Sequence, residues 1–216
     1  MSASGQLLRL ERGRHDKQGR RACLVEAATQ VFAEKGYECA TTREVAERAG
    51  CSEGLIHRYF GGKRGLLLAA LEQKAEKAAA NAAALAPDRD DLHDEVRGIF
   101  LSYLAYALAQ RDFMRVVSER AIVDPEVGRF IGSRLEEERV RLFAEKLRRH
   151  QRAGRVRGDV DCAVVARMIS GLCYQSGFFL QVVFAMPPEE VRRIMRDVAQ
   201  VIVRGIASPG GAGEGS

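Results

Sequence analysis

Apolar residues recur every three or four positions along most of the chain, which is the spacing of one face of an α-helix. The first such run is Leu24, Ala27, Ala28, Val31 and Phe32. Gly36 follows where a helix often closes on a left-handed residue. The pattern therefore predicts a first helix that ends near Gly36.

Start and stop signals predict three further helices in the first half of the chain. Thr41 and Glu44 have the spacing of a capping box, so a second helix should run from about residue 42 to 49 and stop at Gly50. Ser52 can cap a short third helix that continues through residue 60. A fourth should begin at residue 63 or 64 and continue through an alanine-rich stretch until Pro87 ends it.

The second half of the chain has equally clear helix starts. An acidic cluster at residues 88–95 can cap a helix whose apolar face includes Val96, Phe100 and Leu104, and a short segment around 113–121 follows. Asp124-Pro125-Glu126 should begin a helix that extends to about residue 152. Asp159 or Asp161 should begin an apolar helix that extends to about residue 185. Pro187-Pro188-Glu189 should open the last helix. With no repeat and no convincing strand, the chain is predicted to be all-α with about nine helices.

Composition and charge leave several classes of function open. Of 216 residues, 46% are hydrophobic and 29% are charged, with a formal net charge of +5. That excess fits a polyanionic partner, although many basic proteins bind no nucleic acid. The five cysteines form no C-x-x-C pair, which argues against a zinc site or a disulfide framework and suits a reducing compartment. We therefore expect no metal and no cofactor.

Two observations bear on membranes. Residues 1–21 are polar and basic and lack the apolar core of a signal peptide. Residues 163–185 are long enough to cross a bilayer, but they include Arg167, Gln175 and Gln181. A helix buried between other helices explains this stretch better than a membrane span. We expect a cytoplasmic protein without membrane contact.

Residues 41–60 also have the pattern of a helix-turn-helix. Ala46 is small where two helices would touch, Gly50 lies at the sharp turn, and Ile56 can fix the second helix on the first. The side chains left outside suit a DNA duplex, because helix starts bind phosphates and arginine offers two donors to guanine. They are Thr42, Arg43, Ser52, Glu53, Gly54, His57, Arg58 and Tyr59. A plain two-helix corner has the same spacing, so the geometry alone leaves both interpretations open.

The same stretch carries a family resemblance. Thr41-Thr42-Arg43-x-Val45-Ala46-x-x-Ala49-Gly50, followed by Ser52-x-Gly54-x-Ile56-x-x-Tyr59-Phe60-x-x-Lys63-x-x-Leu66-Leu67, resembles the signature of the TetR family of bacterial transcriptional regulators. The resemblance implies three N-terminal helices that bind DNA and a helical domain that dimerises and binds a small molecule, which usually releases the DNA. The expected regions are a disordered basic arm at 1–16, a helix-turn-helix domain at 17–62, a ligand-binding and dimerisation domain at 63–207 and a disordered tail at 208–216.

Carried over residue by residue, the resemblance implies specific DNA contacts. Thr42 and Lys63 would hold phosphates, Tyr59 would hold the DNA backbone, and Arg43, Glu53, Gly54 and His57 would lie near base edges. The position of His57 most often holds tyrosine in this family, so a solvent-facing histidine stays an alternative. Leu55 either touches a thymine methyl or extends the core of the domain. The basic residues before the first helix either reach a phosphate or minor groove or stay solvated.

Other classes of function have weaker support. The four histidines are scattered, and no G-x-S-x-G, H-E-x-x-H or phosphate-binding loop occurs, so an enzyme is not indicated. The cluster Asp90, Asp91, His93 and Asp94 could ligate a metal, but its position at a helix start favours capping. The alternatives that remain are a helical bundle that binds other proteins and a DNA-binding regulator that needs no ligand.

The last two helices are the predicted dimer interface. Residues 161–185 are apolar nearly all round, which requires burial on more than one side, and two glycines would allow close approach of a second helix. The alternative is that both helices wrap the core of one subunit. The predicted interface consists of Gly171, Gly177, Leu180, Phe184, Val191, Met195, Val198 and Ile202.

The predicted effector site lies on the middle helices, where aromatic and thioether side chains cluster with few polar groups. Such a lining suits a small lipophilic molecule, and an ordinary core is the alternative. An arginine in an apolar helix needs a partner, so Arg167 should pair either with a carboxylate on a neighbouring helix or with an acidic group of the ligand. The predicted lining is Phe100, Tyr103, Leu104, Tyr106, Phe113, Met114, Arg167, Met168, Tyr174, Gln175 and Phe178.

Overall fold

Helices account for most of the described residues in the structure, a computed structural model that describes the backbone at residues 3–85 and 88–209 and the side chains at residues 17–77 and 88–209. The side chains of the predicted arm at 1–16 lie outside the described residues, as does the predicted tail beyond Pro209. Within the described ranges the only β-type pairing is one isolated antiparallel bridge, between Val156 and Ala207.

The elements follow the predicted order. They are α1 (Ala3–Cys39), α2 (Thr42–Arg48), α3 (Glu53–Phe60), α4 (Lys63–Leu85), α5 (Leu92–Ala109), α6 (Arg111–Val123), α7 (Pro125–Phe130), α8 (Glu137–Arg152), α9 (Cys162–Tyr174) and α10 (Pro188–Ile206). π-helical turns at Ile131–Glu136 continue α7 into α8, and π-helical turns at Gln175–Val183 continue α9. The described residues thus form nine continuous helices, and the prediction of an all-α fold is confirmed.

The chain divides into two compact units, Met1–Lys77 and Ala78–Ser216. The division falls inside α4, whereas the sequence analysis placed the domain boundary before Lys63. The first turns of α4 carry buried side chains at Leu66, Leu67 and Ala70, which explains why this part of the helix belongs to a compact unit rather than to a linker.

The first unit contains α1, α2, α3 and the first part of α4. The predicted apolar stripe of α1 is buried, with Leu24, Ala28, Val31 and Phe32 each at most 1% exposed. Gly36 has φ 76° and ψ 167°, outside the helical region, so the first helix breaks there and a short helical segment follows to Cys39. The predicted end of the first helix near Gly36 therefore corresponds to this break.

The second unit is built around α5, α8, α9 and α10. Their apolar faces form one core that includes Val96, Phe100, Leu147, Ile169 and Met195. α8 packs against α9, and α5 packs against α10 and against the π-helical turns that follow α9. This arrangement buries one face of each helix, as the 3.6-residue period predicts.

One helical run, Cys162–Val183, is long and apolar enough to cross a membrane, with a mean hydropathy of 1.2. Inside the fold 39% of this stretch is buried. Ala166, Ile169 and Cys173 have no exposed surface and belong to the core of the second unit. A core helix meets the same test of length and composition.

A buried charge cluster joins the start of α5 to the end of α8. Glu95 is 1% exposed and accepts bonds from Lys146 Nζ at 2.9 Å and from Arg149. His150 Nε2 lies 3.6 Å from the same carboxylate, and His150 Nδ1 accepts from Arg155 Nε at 2.8 Å. The cluster ties α5 to the end of α8, and its basic residues compensate a buried carboxylate that would be unstable without a partner.

Candidate nucleic-acid interface

A capping box fixes the N-terminus of α2. The Thr41 side chain accepts from the backbone N–H of Glu44 at 3.2 Å, and the Glu44 carboxylate accepts from the backbone N–H of Thr41 at 3.1 Å. Lys35 of α1 also bonds that carboxylate and holds its pKa below the usual value. The prediction from residue types is confirmed. It gives the next two side chains, Thr42 and Arg43, a defined place at the helix start.

Thr42 joins the starts of α2 and α3. Its Oγ1 donates to Glu53 Oε1 at 2.5 Å. Thr42 was predicted to contact a phosphate and Glu53 to lie near base edges. The hydrogen bond places these two side chains next to each other, at the N-termini of α2 and α3. Helix N-termini carry positive partial charge, which favours a phosphate nearby.

Arg43 extends from the exposed side of α2. Its side chain is 80% exposed, and its Nε donates to Glu47 Oε1 at 2.9 Å, one turn further along the helix. Sequence analysis missed Glu47, although the four-residue spacing is the signal for such a pair. Because the bond engages Nε, the two Nη groups can be offered to guanine O6 and N7.

The turn between α2 and α3 is held by backbone geometry. Gly50 has φ 62°, and the residue after it donates its N–H to Ala46 O at 2.9 Å. Ile56 has no exposed surface and holds α3 on the core. The opposite face of α3 is exposed and carries Glu53, Gly54, His57 and Arg58.

Two predicted residues of this region differ from expectation. Ser52 stands at the N-cap position of α3, but its side chain makes no capping bond. The predicted position of the cap is therefore correct, but the hydrogen bond expected from the Ser52 side chain is not formed. Leu55 is half-buried and lines a cleft beside α1, which favours its core role over a thymine contact.

Basic side chains flank the end of α3 and the start of α4. Lys17 Nζ lies 5.7 Å from the ring centroid of Tyr59, the residue predicted to hold the DNA backbone. Lys63 Nζ lies 4.5 Å from the Tyr37 ring and donates to Glu38 O at 3.2 Å. Lysines placed on aromatic rings keep their charge at the surface, where a phosphate can reach it.

The predicted effector residues do not form one lining in the second unit. Arg167, Met168 and Gln175 are exposed, so they lie on the outer face of their helix and cannot share an interior site with the buried residues. This corrects the prediction of a single lining. The remaining residues are buried (Phe100, Leu104, Phe113 and Phe178) or half-buried (Tyr103, Tyr106, Met114 and Tyr174).

Arg167 has the carboxylate partner that was one of its two predicted alternatives. Its Nη2 donates to the two carboxylate oxygens of Glu137 on α8, at 3.0 and 3.2 Å. Both side chains are more than half exposed. The apolar neighbours of Arg167 in the sequence suggested a position inside the protein. Its charge is instead paired with Glu137 at the surface.

A different arginine, Arg139, is partly buried, with 25% of its side chain exposed, and was missed by sequence analysis. Its Nε donates to Ser170 Oγ at 2.6 Å, it pairs with Glu136, and its guanidinium lies 5.2 Å from the centroid of the Tyr103 ring. Burial raises the pKa of Tyr103, and it raises the pKa of the neighbouring Cys173 thiol to about 12. Glu136 is the last residue of the π-helical turns at Ile131–Glu136. Such turns often occur at functional positions.

The acidic cluster before α5 is a capping structure. Asp91 Oδ1 accepts from the backbone N–H of Asp94 at 2.7 Å, as predicted, and Asp94 pairs with Arg97 at 2.7 Å. Asp91, His93 and Asp94 do bring possible ligand atoms within 4.8 Å of one another. Exposed acids at a helix start commonly group in this way without binding a metal.

Three residues of the predicted dimer interface lie inside the core of this chain. A Cβ on Gly177 would be 2.7 Å from Tyr103 Cε1, so the close approach at this glycine is to α5 of the same chain. Val191 and Met195 are at most 2% exposed. The prediction is wrong for these three. The exposed large apolar residues of the last two helices are Val164, Met168, Phe179, Val183, Phe184 and Val201.

Comparisons with known proteins agree with the two-unit architecture. The family model of bacterial regulatory proteins of the tetR family matches residues 24–70, and that of the C-terminal domain of AefR-like transcriptional repressors matches residues 98–206. The HTH-type transcriptional repressor Rv1474c of Mycobacterium tuberculosis is 30% identical over 149 residues, which are 68% of this chain and 74% of that protein.

Two further matches support less, because one covers a short part of the chain and the other has low sequence identity. The HTH-type transcriptional regulator YvkB of Bacillus subtilis is 46% identical over 50 residues, which are 23% of this chain but only 26% of that protein. The solved structure of a TetR-family transcriptional regulator from Pectobacterium atrosepticum has a TM-score of 0.66 at 21% identity, covering 90% of this chain and 97% of that one. At that identity the likeness shows the fold alone.

The matched regions correspond to the two compact units, and the first of them contains the helix-turn-helix formed by α2 and α3. The second family model alone covers half of the chain. The chain therefore belongs to the TetR family of bacterial transcriptional regulators and is a DNA-binding regulator of transcription.

Proposed function

We propose that this chain is a cytoplasmic, homodimeric repressor that binds a palindromic operator and leaves it when a small lipophilic molecule binds the second unit. The exposed face of α2 and α3 carries the proposal. It brings Thr42, Arg43 and Glu53 together around two helix N-termini, next to the exposed His57. Such a face supplies both phosphate contacts and base readout.

Roles within the face follow from position and chemistry. Thr42 and Lys63 are proposed to hold phosphates, and Tyr59 to hold the DNA backbone. Arg43 is proposed to read guanine through its two Nη groups, since Glu47 engages Nε at 2.9 Å. Glu53, Gly54 and His57 are proposed to lie near base edges, because they share the exposed face of α3.

The test begins with selection of bound sequences from random duplex DNA, followed by fluorescence anisotropy on the recovered site. We expect a palindrome whose half-sites are about one helical turn apart, or a multiple of it. Affinity should fall as salt rises, because phosphate neutralisation releases counterions. A scrambled duplex of the same length is the control, and recovery of no preferred sequence would contradict the proposal.

The dimer is proposed to form through an apolar stripe on the outer face of the helical run 162–183. The stripe consists of Val164, Met168, Phe179 and Val183, which are between 40% and 58% exposed. Their spacing keeps them on one side of the helix, with the exposed Gly171 between them. An exposed apolar surface of this kind is typical of a protein interface. The stripe takes the place of Gly177, Val191 and Met195, which sequence analysis assigned to the dimer interface but which are buried within one chain.

The effector is proposed to bind among the buried and half-buried aromatic side chains of the second unit. Tyr174 and Phe178 stack with their ring centroids 5.4 Å apart, and the Tyr174 hydroxyl donates to Ser118 Oγ at 3.0 Å. Aromatic walls with one or two polar groups suit a lipophilic molecule. For an acidic effector the cation beside these rings would be Arg139, because its guanidinium lies 5.2 Å from the Tyr103 ring, whereas Arg167 is exposed on the outer face of its helix.

A thermal-shift screen of fatty acids, acyl thioesters, aromatic acids and cationic dyes tests this part, with operator-release titrations for each compound that binds. With an acidic effector, Arg139→Met should abolish release and Arg167→Met should leave it intact. Release by neutral or cationic compounds alone would overturn an acidic effector. If no compound both binds and releases operator, the ligand-responsive part of the proposal fails while operator binding stands.

A further inference from the structure

The five cysteines fall into two groups of very different accessibility. Cys162 and Cys173 are buried, and burial raises the pKa of both thiols. A raised thiol pKa and lack of access make a cysteine unreactive. Cys23 and Cys39 are exposed and Cys51 is half-buried. The accessible thiols therefore all lie in the first unit, which binds DNA.

Two of these three thiols line the same cleft. The cleft has a volume of about 590 Å³ and lies between α1, which contributes Arg20 and Cys23, and the turn before α3, which contributes Gly50, Cys51 and Ser52. Leu55 of α3 adds an apolar wall. The cleft is open to solvent, so a small organic molecule can enter it. Cys39, at the end of α1, is not part of the lining.

Cys51 is held at the centre of the helix-turn-helix. Its backbone N–H donates to Ala46 O at 2.9 Å, and its Sγ contacts Ala49 O at 3.5 Å. The preceding Gly50 has the positive φ that lets the chain turn from α2 into α3. A group attached to this thiol therefore lies against the turn that joins α2 to α3.

We propose that the cleft is a modification site for small soft electrophiles, α,β-unsaturated carbonyl compounds, which add to Cys23 or Cys51 and weaken operator binding. In this addition the sulfur forms a bond to the β-carbon, the carbon–carbon π bond breaks, and the thiol proton ends on the α-carbon. No oxidant or second reactant is needed.

The expected effect on DNA binding follows from where the cleft lies. α3 is positioned against the core by Ile56, which has no exposed surface, and by the turn that contains Cys51. An adduct between α1 and this turn shifts α3 and the side chains proposed to contact bases. Loss of even one base contact lowers operator affinity about tenfold or more. The inference rests on operator binding, so binding of unmodified protein is measured first.

The experiment treats the full chain with N-ethylmaleimide, maps the adducts by peptide mass spectrometry and measures operator affinity by anisotropy. Cys39→Ser is the matched control, because it removes an exposed thiol outside the cleft. Treated wild type and treated Cys39→Ser should both lose about tenfold or more in affinity. The double variant Cys23→Ser/Cys51→Ser should keep its affinity after treatment.

Two results would overturn the inference. One is full operator affinity in wild type whose adducts are mapped to Cys23 or Cys51, a measurement that needs no variant to fold. The other is an equal loss of affinity in the treated double variant. In both cases the untreated protein still binds its operator, so failure of this inference is distinct from failure of the proposed function.

Discussion

Arg43 and Lys63 are proposed to touch different parts of the same duplex, so their removal should have different consequences. Arg43→Ala should cost about 1–3 kcal/mol on the operator and relax the preference at one base position, because a bidentate guanine contact is lost. Lys63→Ala should weaken binding to all sequences alike and reduce the salt slope by about 1, because it removes one phosphate contact. Anisotropy on matched and mutated operators at several salt concentrations measures both effects.

Arg48→Ala is the matched control for Arg43. Arg48 is also exposed on α2, but it forms a bidentate pair with Glu34 of α1, at 2.6 and 2.7 Å, away from the proposed base contacts. Its loss should leave base preference unchanged. If Arg43→Ala keeps the full preference of the parent, the assignment of Arg43 to a base contact is wrong.

At the residue scale, sequence spacing predicts only partners that are close in the chain. The Thr41 and Glu44 cap and the Arg43 and Glu47 pair lie within one helical turn, where spacing alone brings side chains together. Other partners could not be predicted because folding brings them together from distant segments. These are Thr42 with Glu53, Arg139 with Ser170 and Glu95 with Arg149.

The buried His150 predicts a loss of stability in mild acid. Burial lowers its pKa below the usual value, and the charges of Arg155 and Arg149 lower it further. As pH falls through about 6.5, the unfolded chain takes up a proton at this histidine before the folded chain does. The free energy of unfolding should therefore fall by up to about 1.4 kcal/mol per pH unit below that point, until the folded protein is protonated too.

Urea unfolding at several pH values between about 7.5 and 5 measures this slope. His150→Gln removes the titrating group and should make the pH dependence shallower than in the parent. His93→Gln removes a histidine outside the buried cluster and is the control. Identical pH dependence in the parent and in His150→Gln would show that His150 does not take up its proton preferentially on unfolding.

At the element scale, helix starts could be predicted well because capping is local chemistry. Asp91, Asp124 and Asp161 accept backbone bonds at the starts of α5, α7 and α9, as their residue types predict. Ser52 is the exception, since its hydroxyl does not bond the start of α3. The π-helical turns at Gln175–Val183 were not predicted, because a wider turn leaves no mark in a stretch that is already apolar on several sides.

Gly177 and Gly171 lie on the same helical run and offer a matched pair of substitutions. A Cβ at Gly177 would lie 2.7 Å from Tyr103 and 2.8 Å from Ala107, whereas a Cβ at Gly171 meets nothing within 4 Å. Gly177→Ala should lower the free energy of unfolding by about 1–3 kcal/mol through overpacking. Gly171→Ala should leave it unchanged or raise it, because alanine favours the helix. Equal effects in urea unfolding would contradict this packing of Gly177 against α5.

At the scale of the whole molecule, the apolar period gave the number and order of helices but not which faces stay exposed. Val191 and Met195 fit an interface pattern as well as a core pattern, and only the packing of α10 on α5 puts them inside. Residues 162–183 are apolar on several sides for two reasons. One side packs in the core, and the other forms the exposed apolar stripe proposed to join two subunits.

The apolar stripe gives the final prediction. Met168 is one of its four residues and is 58% exposed, so Met168→Glu places a charge where two copies would meet and leaves the core of each subunit intact. We expect monomers in light scattering and weaker operator binding, because a monomer contacts only one half-site. Ile122→Glu is the control, since Ile122 is 86% exposed at the end of α6, outside the stripe. A Met168→Glu dimer as stable as the Ile122→Glu dimer would remove this face from the interface.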